Sequence, residues 1–454
     1  MTNHAATIPG AAEILPAERP TFRAWYALFI LIIAALFGAV DRQILVLVTE
    51  PIKQDMQLAD VQIGVLQGLG PGLFAALGGV ALGWLVDRGP RQIIFAACVL
   101  AWAAATAACG LADTFGELFA ATIAIALGEA VLAPVIYSMV PDMFPGKSRI
   151  TANFIVFGAT TIGAGFGIAL GGGAIAWIDA HRVLLPESIQ SWAAWRLAFL
   201  AVAAPGVPIA LAVLAIGPVK RIVNHAVPQA MVSIKSYVRE HWPALLGLYT
   251  AASLYGIAQY AAYAWAPVYI MRILGASPAD VGVGVGAAST IGSVAGVCFA
   301  AVVTKLLRPR FGVMAPLRLY LAAMAATLIP VVLQLAVQHP WQAYVLIGIQ
   351  TATGIAGASL MPTLLQDISP ALIRGRVIAL GTAFFVVSIA GAPVLVGFVS
   401  DALEGDPRGL LWALVLVSTP AIAAGVLLLK LADGAFRRTV EAFAPDAPAA
   451  QVVA

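Results

Sequence analysis

The chain has 454 residues, of which 61% are hydrophobic and only 10% charged, with a formal net charge of +3. Soluble domains run near about 45–50% apolar and about 25% charged, so a water-facing enzyme, a nucleic-acid binder and a disordered chain are all excluded. What remains is an all-α integral membrane protein, because long apolar runs without alternation read as helices and not as barrel strands.

Residues 1–23 form an N-terminal tail with Glu13, Glu18 and several prolines. It lacks the basic start and short apolar core of a signal peptide. Twelve spans then follow, each meeting the requirement of about 20 apolar residues: 24–49, 61–86, 92–111, 116–140, 150–178, 195–216, 242–270, 280–303, 313–336, 341–366, 376–400 and 409–431. Residues 24–216 make one six-helix bundle and 242–431 a second. The polar connection 217–241 joins them, and 432–454 form a C-terminal tail. In the connection, Met231, Ile234 and Val238 recur at helical spacing beside Lys235 and Arg239, as in a short interfacial helix. An N-terminus placed inside puts most lysines and arginines on the cytoplasmic side, so both termini are expected there.

The halves are related. Ala59-Asp60-Val61 with Gly64-Val65 opens helix 2, and Ala279-Asp280-Val281 with Gly284-Val285 opens helix 8. Asp142, Pro145 and Arg149 at the helix 4 exit recur as Asp367, Pro370 and Arg374 at the helix 10 exit. A parallel six-plus-six repeat marks a transporter whose substrate binds between the halves near mid-membrane.

Helix 1 carries Asp41 and Arg42, and helix 4 carries Glu129. An ionisable residue inside a span is a functional candidate by default, because hydrocarbon disfavours charge. At about 1.5 Å per residue, Asp41 lies roughly 12 Å and Glu129 roughly 20 Å below the outer surface. Neutralisation of a buried acid binds a proton and re-ionisation releases it, so Asp41, Glu129 or both are expected to couple transport to protons. The plainer alternative is a static ion pair tying helix 1 to helix 4. Adjacent residues do not share a helix face, so Arg42 is expected to face Glu129 or an anionic substrate, and not Asp41.

Glycines spaced by four run along helix 2 (Gly64, Gly68, Gly72) and helix 5 (Gly163, Gly167, Gly171), and helix 8 holds Gly282, Gly286, Gly292 and Gly296. Such stripes bring backbones close, which suits contacts that slide between halves and equally suits static packing. Prolines inside spans (Pro71, Pro134, Pro205, Pro208, Pro267, Pro330, Pro362, Pro393) are expected to kink helices. Candidate cavity residues are Tyr137 on helix 4, Tyr255, Gln259, Tyr260 and Tyr263 on helix 7, and Gln350 and Thr353 on helix 10. With Arg42 they describe a site for an amphiphile, its polar head at Arg42 and its tail against the second half.

The three cysteines fall in apolar runs, and all five histidines lie in loops or at helix ends. No metal or cofactor is expected. No nucleophile motif is visible in the spans, so the chain does not read as an enzyme. The partners expected are protons, a small amphiphilic substrate and the bilayer, with no nucleic acid and the chain acting as a monomer.

The loop after helix 2 reads Gly83-Trp84-Leu85-Val86-Asp87-Arg88-Gly89-Pro90-Arg91. This resembles the loop 2–3 signature of the major facilitator superfamily, G-x-L-x-D-R-x-x-R. The resemblance implies a twelve-helix fold of two pseudo-symmetric bundles that rock around a central cavity. It also implies a gating role for Gly83, Asp87, Arg88 and Arg91, with Asp142 a partner for an arginine. Asp41-Arg42, Gly128-Glu129-Ala130, Asp142-Met143-Phe144-Pro145 with Arg149, and the glycine-rich stretch 162–173 resemble the spinster-like family more narrowly. That resemblance implies proton coupling at Asp41 and Glu129 and a lipid-like solute of the lysophospholipid or sphingoid-phosphate type. The family often carries an arginine seven residues before the helix 4 glutamate, where this chain has Thr122. A proton-linked organic-anion or multidrug transporter of the same superfamily is the alternative. The expected location is a bacterial inner (plasma) membrane.

Overall fold

The computed structural model describes residues 20–144, 147–219, 234–369 and 373–442. Among them the chain forms twelve long helices and a shorter terminal one. The first half comprises α1 (Phe22–Met56), α2 (60–88), α3 (Arg91–Leu111), α4 (115–143), α5 (Lys147–Ala180) and α6 (194–215). The second comprises α7 (Ile234–Leu274), α8 (Pro278–Phe311), α9 (Ala315–Leu333), α10 (Pro340–Asp367), α11 (374–402) and α12 (Gly409–Leu431), followed by α13 (Asp433–Ala442). Nine described stretches are long and apolar enough by themselves to cross a membrane, and one of these, Pro278–Ala336, contains both α8 and α9.

Local chemistry sets the helix ends. Thr21 caps α1 by accepting from the Ala24 N–H at 3.2 Å. Thr114 and Glu117 form a reciprocal capping box at α4. Ser277 accepts from the Asp280 N–H at 3.1 Å, and Pro278 occupies the first turn of α8. Proline acts unevenly. A π-helical turn, Val65–Leu69, precedes Pro71 in α2. α4 is interrupted at Ala130 and Val131 before Pro134, α6 at Ala204 and Pro205, and α11 at Gly391 before Pro393. Pro267, Pro330 and Pro362 instead sit inside helices without interruption there. Neighbouring helices can accommodate the carbonyl that proline leaves unbonded.

The bundle has two ends: the termini end, bearing Thr21 and Leu431, and the far end, bearing Met56, Asp60, Leu274 and Pro278. The close inter-half packing runs between α5 and α8 and between α2 and α11. A Cβ built on Gly282 would lie 2.8 Å from the Gly172 Cα, and one on Gly286 would lie 2.6 Å from the Gly165 carbonyl oxygen. Gly64 and Gly68 likewise allow the backbone of Pro393 and Ala390 to approach. The α5 stripe divides by face. Gly163, Gly167 and Gly171 pack on α1 within their own half, whereas Gly165 and Gly172 meet α8. Positions two apart point to different sides of a helix, so the four-residue stripe stabilises the first bundle while the glycines beside it form the inter-half contact. On α8, Gly292 and Gly296 pack on α10 within the second half.

Of the expected interfacial helix, Met231 lies outside the described residues. Residues 234–240 are helical and run into α7 across a kink at His241 (φ −107°, ψ 16°), two residues before Pro243. The Tyr237 hydroxyl donates to the Ile368 carbonyl, fastening this segment to the foot of α10. The stretch expected as a plain C-terminal tail begins with α13, which buries Phe436 and Val440, one turn apart, and leaves Arg437 and Arg438 exposed. Asp433 ties it to Arg318 of α9 at 2.8 Å.

Candidate functional site between the halves

A cavity of about 270 Å³ lies between α1, α2 and α4 of the first half and α7 of the second. Asp41, Arg42, Gln67, Glu129, Tyr260 and Tyr263 are among its lining residues. Arg42 donates from Nη1 to Glu129 Oε2. The pair is asymmetric: the Arg42 side chain is 51% exposed and that of Glu129 only 6%. Thus the guanidinium faces the cavity with donors to spare, and its carboxylate partner is held in the wall.

Two glycines build this arrangement. Gly38, one turn before Arg42, leaves room for Glu129, since a Cβ there would lie 3.4 Å from Glu129 Oε1 and 3.1 Å from Leu132 Cδ1. Gly128 lets α4 lie on α3, where a Cβ would come 2.7 Å from the Trp102 Cβ. The break in α4 at Ala130 directly follows Glu129. Neither glycine stands out by spacing alone; the visible signal was only the adjacency of Gly128 to an intramembrane acid.

Asp41 makes no ion pair with Arg42. It is 2% exposed, and neither carboxylate oxygen has a hydrogen-bond partner. Thr106 and Cys109 of α3 stand beside it. The Thr106 hydroxyl donates to the Trp102 carbonyl at 3.0 Å. Thr122 also lines the cavity, and its hydroxyl donates to the Phe119 carbonyl at 2.8 Å.

The other sequence candidates divide into two groups. Tyr260 and Tyr263 line the cavity with their rings stacked 5.4 Å apart. The Tyr260 hydroxyl reaches the Gln67 carbonyl of the opposite half at 3.5 Å. Tyr255, Gln259, Gln350 and Thr353 belong to a network that ties α7, α9 and α10 together. Tyr255 bonds Thr327 at 2.9 Å, Thr327 donates to Thr353 at 2.7 Å, and Thr353 donates to the Gln350 carbonyl at 2.9 Å. Gln350 accepts from Gln334 at 3.0 Å and is 2% exposed, and Gln259 donates to the Gln350 carbonyl at 3.4 Å. Buried amides and hydroxyls need such partners, so these groups act here within the second bundle. The side chain of Tyr137 lies outside the described residues.

At the termini end, Arg91 is 4% exposed and donates to Asp142 at 2.6 Å, the Ser138 carbonyl at 2.7 Å and the Val219 carbonyl at 3.1 Å. It binds α3, α4 and the exit of α6 into one unit. Arg88 lies over the Trp84 ring at 4.2 Å. Gly83 faces Pro134, and a Cβ there would make ordinary van der Waals contact with the ring at 3.9 Å. The Asp87 side chain lies outside the described residues.

Sequence reasoning missed a charged lock at the far end. Arg272 of α7 donates to Glu50 of α1 at 2.8 and 3.0 Å and to Asp60 of α2 at 2.7 and 2.8 Å. Lys53 also pairs with Asp60, and Ser400 of α11 donates to it at 2.7 Å. Asp401 accepts from the backbone N–H groups of Asp60 and Val61, both at 2.9 Å. A carboxylate of one half thus caps a helix N-terminus of the other, where the unbonded N–H groups attract negative charge. The repeated Ala-Asp-Val motif flagged Asp60, but its partners in the other half are more than 200 positions away in sequence.

A family model described as the Major Facilitator Superfamily matches residues 30–349. The chain belongs to the major facilitator superfamily. It is a secondary transporter and an integral membrane protein, not an enzyme. Among curated relatives in this superfamily it is 26% identical over 431 residues to an MFS-type efflux pump of Mycolicibacterium smegmatis, covering 92% of this chain and 94% of that one. It is 23% identical to a probable galactarate/D-glucarate transporter of Bacillus subtilis, covering 94% and 96%. Over 134 residues, 30% of each chain, it is 31% identical to a niacin transporter of Acinetobacter baylyi. The fold matches a bacterial homologue of the human lysosomal transporter spinster, in an inward-facing and unoccupied conformation, with a TM-score of 0.74, 21% identity and coverage of 93% and 98%. A nucleoside transporter matches with a TM-score of 0.69 at 12% identity, covering 90% and 100%. Bacterial relatives of such varied solutes point to the plasma membrane and leave the substrate to the site itself.

Proposed function

We propose that this superfamily member moves an amphiphilic, lipid-like organic solute across the bacterial inner membrane by alternating access, driven by protons. The observation that carries the reading is Asp41, a sealed carboxylate without a hydrogen-bond partner, set beside the Arg42–Glu129 pair in the wall of an inter-half cavity. An acid in that setting is held by taking up a proton and re-ionises when its surroundings change. The excess of basic residues at the termini end supports a cytoplasmic position for both termini. The far end, locked by Arg272 and Asp401, is then the outer gate in its closed state.

Solute enters from the termini end, places its polar head near Arg42 and Glu129, and lays its apolar part against the second half. Rocking breaks the far-end lock and brings the termini ends together. In the closed termini end, Gly83, Asp87, Arg88 and Arg91 form the opposing gate with Asp142. Tyr137, Tyr255, Gln259, Gln350 and Thr353 shape the solute's surroundings in the states that open them.

The test is flux in proteoliposomes of purified protein, with lysophospholipids and hydrophobic drugs as solutes and an imposed pH gradient. Solute movement that follows the gradient supports the reading. Transport by Glu129→Gln that kept the wild-type pH dependence would exclude Glu129 from coupling. Similarity to an efflux pump over nearly the whole chain favours drug-like amphiphiles among the solutes to test.

A further inference from the structure

The cavity wall carries more negative than positive groups. Two carboxylates, Asp41 and Glu129, line it against the guanidinium of Arg42. Glu129 already accepts from Arg42. Asp41 is 2% exposed, and three carboxylate oxygens, both of Asp41 and Oε1 of Glu129, have no donor. Thr122, at the same wall, is neutral and uses its hydroxyl on the Phe119 carbonyl.

Among the described residues, the groups facing Asp41 supply no second cation. They are Arg42 on its own helix, Glu129 of α4, and the neutral Thr106 and Cys109 of α3. From α7 come Tyr260 and Tyr263, which stand near Arg42 and Glu129. An uncompensated carboxylate in such a place is strongly disfavoured. One positive charge satisfies the wall: a proton on Asp41, or a cation in the cavity.

The open side of the cavity suits the cation. Tyr260 and Tyr263 present stacked rings there, and an aromatic face attracts ammonium groups. A solute anion at Arg42 would have to share the guanidinium with Glu129 and would add a second uncompensated negative charge to a wall that already carries one. The geometry points to a cationic organic solute, an amphiphile with a single amine or quaternary ammonium head, that exchanges for one proton in this cavity. This deepens the transport reading above and rests on it. The head sits over the two tyrosines beside Glu129, and Asp41, buried in the same wall, gives its proton to cavity water. One positive charge enters and one leaves, so the wall keeps its charge balance.

The test uses the full-length protein with two probes of matched shape and opposite fixed charge, tetraphenylphosphonium and tetraphenylborate. Neither titrates, so any pH dependence belongs to the protein. The expected result is saturable binding of the phosphonium and none of the borate. The phosphonium Kd should rise about tenfold for each unit fall in pH where Asp41 holds its proton. Calorimetry in two buffers of different ionisation heat should find about one proton released per cation. Asp41→Asn should bind at the weak, low-pH level, with no pH dependence and no proton release. Should that variant fail to fold, the wild-type pH dependence and proton count still decide.

Saturable borate binding without phosphonium binding would overturn the cationic head, and pH-independent phosphonium binding would overturn the exchange. In both cases pH-driven flux of another solute in proteoliposomes would leave the transport reading standing. Folded protein that moves no solute under any gradient would overturn both.

Discussion

Replacing Arg272 should release the far-end lock. Its guanidinium makes four hydrogen bonds to Glu50 and Asp60, joining α7 to α1 and α2. Removing one partner of a buried ion pair costs about 3–5 kcal/mol. The Arg272 side chain is 23% exposed, which places this case at the low end. Glu50 would keep its bond from Gln54, and Asp60 those from Lys53 and Ser400, which softens the loss further. The result is about 2–3 kcal/mol against the closed far end for Arg272→Ala, a shift of about 30- to 150-fold in population. Arg272→Lys keeps the charge but loses the fork that spans both carboxylates, so about 1 kcal/mol, or about fivefold, is expected. The assay is pulsed electron spin resonance between labels at Val183 and Glu404, exposed far-end positions in the two halves, with Cys98, Cys109 and Cys298 replaced. The long-distance population should grow in the order wild type, lysine, alanine. Identical distance distributions in all three would refute the lock.

Three further outcomes follow from the same geometry. Asp41→Asn removes a buried carboxylate that has no partner, so its thermal midpoint in detergent should equal or exceed the wild type while pH-driven flux falls at least about tenfold; a large loss of stability would contradict this placement. Gly282→Val places a Cβ 2.8 Å from the Gly172 Cα and 2.9 Å from the Ile168 carbonyl oxygen. Backbone cannot swing aside, so the far end should stay open and flux should fail. Gly173→Val, where a Cβ meets nothing within 4 Å, should transport normally, and equal flux in the two variants would refute the contact. Arg91→Ala removes a buried guanidinium that bonds Asp142 and two carbonyls, so about 3 kcal/mol of stability should be lost, read as an earlier thermal transition; an unchanged transition would refute its tethering of α3 to α4.

Much of the architecture was legible because hydropathy reports depth along one axis. Apolar run lengths place twelve helices, and counting along helix 1 and helix 4 puts Asp41 and Glu129 well inside the membrane. The helical period even separates Asp41 from Arg42, since neighbours in sequence face different ways, and the Arg42–Glu129 pair lies as that argument expects. What such counting does not supply is the angle of each helix about its axis relative to distant neighbours. Gly163, Gly167 and Gly171 look like an inter-half stripe until their side of α5 is known to face α1. Gln350 and Thr353 look like cavity groups until α9 and the turn that follows it offer them buried partners, Thr327 and Gln334.

The sequence by itself determined the class, the two-bundle organisation and the few charged groups that stay in the membrane, because those follow from transfer into lipid, one residue at a time. The tertiary structure alone decided that Asp41 is the cavity acid without a partner, that Tyr260 and Tyr263 line the same cavity from the other bundle, and that Arg272 and Asp401 close the far end. Each of these depends on bringing together helices hundreds of residues apart, so the energies belong to pairs and not to any stretch of chain.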